Sequence, residues 1–390
     1  MRGSRGGSIL RAPMSAPLYL DHNATTPLLP EVVEAMTPFL TTHFGNPSSG
    51  HAYGRVAKDA VEHARAQVAA LLHAPAESII FTSGGTEATA LALRGSFLAR
   101  PARRHLVTSS IEHPATSRVA AELAAQGARL STVGVDAQGV LKLDALKAAL
   151  KPYTLWLSLI HAHNETGVMQ PVAQAAKHAH QVDTLVHVDA SQSAGKVPLD
   201  VDALGADLLT LAAHKLYGPK GVGALYVRPG VTLTPLAPGG GQEGGRRSGT
   251  ENVASIVGFG AACAAAVRDL EETSARVTRL RDELWARLKD AVPGLRLAGD
   301  GAPRLPNTLY VLFPGASGNA VLAATPDIAA STGSACHDGH DTAPHVLTEM
   351  GFAPNVAVGA VRLSLGRATS DADVARAAQA LSTGWRKVSS

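Results

Sequence analysis

Three stretches of this 390-residue chain put reactive side chains where a short apolar run ends. Lys215 follows LLTLAAH (208–214) and precedes a Gly/Pro turn. A lysine held in a partly dry place loses proton affinity and can form a Schiff base with a carbonyl. Most lysines are instead solvated cations. Asp189 ends LVHVD (185–189), where a carboxylate is costly unless it meets a cation. A structural ion pair or a cap on the following helix would place an aspartate there too. Gly84, Gly85 and Thr86 in FTSGGTEA (81–88) lie between an apolar run and a helical pattern. Backbone N–H groups at the positive end of a helix seat a phosphate, and the Thr86 hydroxyl adds a donor. A plain strand-to-helix turn gives the same pattern.

Asp189 and Lys215 are 26 residues apart, one crossover unit, so both can reach the same carboxyl rim of a sheet. Open α/β sheets bind ligands at that rim. One ligand accounts for all three signals: a phosphate for the Gly-Gly-Thr turn, a ring cation for Asp189, an aldehyde for Lys215. Pyridoxal 5'-phosphate has these groups.

The elements that must position these residues follow from the apolar pattern. Runs at 79–82, 105–109, 155–160, 185–189, 208–211 and 223–227 lack alternation, as strands buried on both faces do. Helical periods separate them; upstream, Val61, Ala64, Val68, Leu71 and Leu72 form one stripe. This predicts an α/β fold with a mainly parallel sheet covered by helices on both faces. A glycine-rich break at 238–250 precedes a long helix over about 252–289, then short strands near 307–313 and 361–365. Ser370 with Asp373 announces a final capped helix carrying Val374, Ala378, Leu381 and Trp385. The expected domains are a large one over 17–255 and a smaller α/β C-terminal one over 256–390, with residues 17–28 free to pack against the latter. Residues 1–16 read as a leader or tag.

Composition narrows the function. Apolar residues are 45% and charged residues 17%, which excludes a disordered chain. A net charge of +3 without a dense basic run gives little support for nucleic acid or a membrane surface as partner. Two cysteines, Cys263 and Cys336, make no disulfide framework, so a reducing, cytoplasmic setting is expected. No uncharged apolar stretch reaches membrane-spanning length.

Twelve motifs in order, among them YLDHNATTP (19–27), GNPSSGHAYGRVAK (45–58), TSGGTEA (82–88), EHPA (112–115), HAHNETGVMQPV (161–172), HVDASQSAGK (187–196), GGGQEGGRRSGTENV (239–253), GSAC (333–336) and VRLSLGR (361–367), resemble the cysteine desulfurases of the class-V aminotransferase group, NifS/IscS-like enzymes of fold type I. The resemblance implies conversion of L-cysteine to L-alanine by a homodimer whose active sites lie at the subunit interface. It implies Lys215 as the residue that anchors pyridoxal phosphate, Asp189 at the ring nitrogen, and Gln192 and Asn164 at the phenolic oxygen. His113 would stack on the ring and shuttle protons, although a histidine in a pre-proline turn is the plain alternative. Gly85, Thr86 and His214 would hold the phosphate, Thr250 would reach the neighbouring subunit's phosphate, and Arg362 with Asn164 would take the substrate carboxylate.

Cys336 would carry sulfur as a persulfide to an acceptor protein, for iron–sulfur clusters or another use. Cys263 in GAACAAAV reads as a buried apolar residue, whereas Cys336 has polar, histidine-rich surroundings that favour a thiolate. His337, Asp338, His340 and Asp341 also raise a metal site, though no ligand geometry is fixed. Ala212 stands where a serine is common in the group, His163 where an asparagine is, and Gly244 where an arginine is. The residues after Cys336 are His/Asp-rich where the group favours Ser/Thr. A selenocysteine lyase, another lyase of the same cofactor class, and a weakly active sulfur-assembly scaffold remain alternatives.

Overall fold

The computed structural model describes residues 16–333 and 342–389. The chain opens on a short strand, β1 (Leu18–Tyr19). Seven strands then build the main sheet: β2 (Ile79–Thr82), β3 (His105–Ser109), β4 (Arg129–Val133), β5 (Thr154–Ile160), β6 (Leu185–Asp189), β7 (Leu208–Ala212) and β8 (Gly223–Val227). Beyond them come β9 (Arg296–Leu297), β10 (Thr308–Leu312), β11 (Ile328–Ala329) and β12 (Ala360–Ser364).

The main sheet runs β2-β8-β7-β6-β5-β3-β4. Strands β3 to β7 are mutually parallel, and only β8 runs against its neighbours β7 and β2. Being antiparallel to β8 on either side, β2 and β7 point the same way. Every residue of β2, β3, β5, β6, β7 and β8 is buried. Helices cover both faces, which is why these strands read as unbroken apolar runs. Edge strand β4 is mostly exposed and its RLSTV sequence gives no such run.

A second, three-stranded antiparallel sheet, β12-β10-β9, has its own core around Leu309, Val361, Leu284 and Leu381. Leu20, just after β1, packs into this second core, and β1 itself pairs with β11. The helix Val253–Ala291 belongs to both bodies. Phe259, Ala262 and Cys263 enter the main core, while Leu280, Leu284 and Leu288 enter the second. Part of this helix is long and apolar enough to cross a membrane, but half of that stretch is buried inside the protein. Asn252 caps its start, accepting from Ser255 N. The final helix, Asp371–Val388, begins with the reciprocal Ser370–Asp373 box and buries Val374, Ala378 and Leu381.

Candidate active site

Parallel strands deliver their carboxyl ends to one rim, and that is where the reactive residues gather. Beyond β2 the chain turns at Gly84, φ 156°, and enters the helix Gly85–Ala99. Past β3 comes His113, at the start of the helix Pro114–Ala125. Asn164 follows β5, Asp189 closes β6, and Gln192 lies three residues on. A short turn over Ala213–Lys215 follows β7. Arg362 arrives from the second sheet, in the middle of β12.

These residues line one cavity of about 280 Å³. Asp189 is buried, with Oδ1 accepting Ser191 N at 2.9 Å. Lys215 Nζ donates to the carbonyls of Asn23 and Ala24 at 2.8 and 2.7 Å. Burial, reinforced by the Arg362 charge, pushes the Lys215 ammonium down to about 8. An ordinary exposed lysine titrates near about 10.4. In cofactor-free protein, labelling of Lys215 by an amine-directed reagent is therefore expected to rise with a midpoint near pH 8, because only the free amine reacts. Peptide mapping across pH checks this, and a midpoint near 10 would contradict it.

Burial favours the neutral forms of several neighbours. Burial holds His214 and His161 at about 4 and His163 at about 3. It raises Glu112 to about 8 and Glu165 to about 7. His113 also sits below its usual range through desolvation. Its Nδ1 accepts from Ala115 N, so it caps a helix and faces the cavity at once. The pre-proline helix cap is observed, and the same histidine lines the cavity.

Arg362 is buried and held rigidly. Nη1 donates to Asn164 O at 3.0 Å and Nη2 to Asp21 Oδ1 at 2.7 Å, while Nε has no partner among the described residues. Gly85, Thr86, His113, Asn164, Asp189, Gln192, His214, Lys215 and Arg362 thus share one cavity. Thr250 is exposed and lines no part of it. Cys336 lies outside the described residues, as do His337, Asp338, His340 and Asp341. Cys263 is fully buried, and its thiol is pushed well up by desolvation. Asp21, Asn23 and Lys196 were missed by sequence reasoning, although each lies in a motif quoted above.

Residues 18–377 match the family described as Aminotransferase class-V. The chain belongs to the class-V aminotransferase family. A cysteine desulfurase of Trichormus azollae is 44% identical over 361 residues, covering 92% of this chain and 90% of that one. The solved structure of a NifS-like protein superposes with a TM-score of 0.89 at 35% identity, covering 95% and 100%. A second structure, titled SspA in complex with cysteine, gives 0.80 at 34% identity, covering 89% and 98%.

Class-V enzymes of the desulfurase branch use pyridoxal phosphate, and the cavity fits that group. A helix N-terminus, a buried carboxylate and a lysine of lowered proton affinity all face it. The helix end is kept bare by Gly85, whose added Cβ would lie 3.3 Å from both Ala212 Cβ and Ser191 Oγ. Ala212 brings a methyl to this wall where a serine would bring a donor.

Proposed function

We infer that the chain is a pyridoxal-phosphate-dependent cysteine desulfurase, converting L-cysteine to L-alanine and holding the sulfur as a persulfide on Cys336. One observation carries this: Asp189 at the end of β6, Lys215 in the turn after β7 and Arg362 in β12 of the second sheet converge on a single cavity in a class-V chain. When bound, the cofactor supplies an electron-accepting ring. Asp189 would balance the charge at the ring nitrogen. The helix end at Gly85–Thr86, with His214, would take the phosphate. Gln192 and Asn164 would face the phenolic oxygen, and His113 would cover the ring face. Lys215 would anchor the aldehyde and would be the base placed to move the substrate's α-proton. The Cys336 thiolate attacks the substrate sulfur. A sulfur–sulfur bond forms, the carbon–sulfur pair stays on carbon and takes up a proton, and alanine leaves.

Arg362 would hold the substrate carboxylate in a two-pronged pair that a lysine ammonium does not reproduce. Arg362→Lys is expected to raise KM for cysteine roughly tenfold or more, with a smaller fall in kcat. Steady-state kinetics check it, and an unchanged KM would remove Arg362 from this role.

The active protein is read as a homodimer. Thr250 is exposed and absent from its own chain's cavity, which supports its reaching a neighbouring subunit's phosphate. The persulfide is passed on to an acceptor protein in the cytoplasm, for iron–sulfur assembly or other sulfur delivery. The deciding experiment incubates purified protein with pyridoxal phosphate, reduces it with borohydride and maps the adduct by mass. Modification at Lys215, with alanine formed from L-cysteine, is the expected result. Protein that stays colourless would overturn the reading.

A further inference from the structure

One cation behind the cavity wall is used by none of these steps. Lys196 lies four residues beyond Gln192; the residue is half-buried, with its ammonium turned inward to Gln192 and Asn23. It donates to Gln192 Oε1 and to Asn23 Oδ1, both at 3.0 Å, and pairs with no carboxylate among the described residues. Its charged neighbours Lys215 and Arg362 are cations, and with burial they push it down to about 7. An apolar side chain would fill such a place at less cost, because removing a charge from water is expensive.

In its charged form Lys196 does what an apolar group does not: the ammonium only donates. Gln192 must therefore turn Oε1 towards it and Nε2 away. One Nε2 proton goes to Asn23 O at 2.9 Å, which leaves the second for the cavity that Gln192 lines. Asn23 is constrained in the same way. Its Oδ1 accepts from Lys196 and Asn307, and its Nδ2 donates to Asn164 O and Thr308 Oγ1. Its N–H donates to Ser364 Oγ, and its carbonyl receives Gln192 and Lys215. Every polar group of Asn23 is used, and the network spans both sheets.

We propose that Lys196 is a positioning residue: in its charged form a donor with no acceptor, it acts with the Asn23 carbonyl to fix the Gln192 amide so that N–H rather than C=O faces the cavity. The inference rests on reading that cavity as the pyridoxal phosphate site, where an N–H would meet the phenolic oxygen.

The test titrates pyridoxal phosphate into the full chain stripped of cofactor, as parent, Lys196→Met, Gln192→Ala and the double variant. Lys196→Met should bind roughly tenfold more weakly, as expected for losing a hydrogen bond. It should add less than about twofold in the Gln192→Ala background, since the two act as one unit. The absorbance transition of loaded Lys196→Met should also move to higher pH, because the oxygen loses its donor. Lys196→Gln can present either end of its amide. It should shift affinity in the same direction, and it serves as the comparison if Lys196→Met does not fold. Unchanged affinity, or a full Lys196 effect surviving without Gln192, overturns the positioning role while leaving the cavity assignment intact. A parent that binds no pyridoxal phosphate overturns that assignment itself.

Discussion

Lys215→Ala protein is expected to lose alanine formation from L-cysteine by about 10³-fold or more. The loss is large because one amine has two tasks. On the proposed function it would tether the cofactor's aldehyde and would be the group placed to move the substrate's α-proton. Both need a free amine, and burial with the nearby Arg362 charge enlarges the free fraction near neutral pH by bringing Lys215 down to about 8. Two backbone carbonyls, from Asn23 and Ala24, hold Nζ at 2.8 and 2.7 Å, so the amine is aimed before any ligand arrives. Lys215→Arg should fare no better, since a guanidinium stays protonated. Stopped assays of alanine, together with loss of the borohydride-fixed adduct, check both variants. An alanine variant retaining a tenth of parental turnover would show that some other group moves the proton.

Much of this arrangement is legible in the sequence because the strands are buried on both faces. An unbroken run such as LVHVD shows where a strand ends, and a charged residue at that end marks the rim. Asp189 and Lys215 are visible for this reason. Edge strand β4 is not, because an exposed strand is under little pressure to be apolar. The partners of the reactive groups are hidden for a different reason. Asp21 meets Arg362 across 341 positions, and Asn23 meets Lys215 across 192. Nothing local in YLDHNATTP says that its aspartate will hold an arginine from another sheet. Lys196 is legible only in three dimensions, since Asn23, which its ammonium meets, lies 173 positions away in the chain. Thr250 has a stated role only if a second chain supplies the missing surface.

Cys336→Ser protein is expected to bind pyridoxal phosphate as the parent does, yet to release alanine from L-cysteine roughly 10²-fold more slowly or worse. A thiolate is populated near neutral pH, whereas a serine hydroxyl there is not ionised and is a poor nucleophile towards sulfur. The chain leading to this residue is tied to the site. Arg362 N donates to Ser331 O at 2.6 Å, and Gly333 N donates to Ser331 Oγ at 3.1 Å. Gly333 has φ 81°, and a Cβ on it would come within 2.9 Å of the Glu165 carboxyl and of Tyr310 Oη. A glycine is therefore favoured three positions before Cys336, on the segment whose Ser331 pairs with Arg362. Cysteine sulfinate separates loss of the nucleophile from damage to the site. Its sulfur departs as an oxidised leaving group without attack by a thiol, so Cys336→Ser should still release alanine from it at a rate close to the parent's. Equal loss on both substrates would mean that Cys336 supports the cavity rather than accepting sulfur. Undiminished turnover of cysteine would remove it from the reaction altogether.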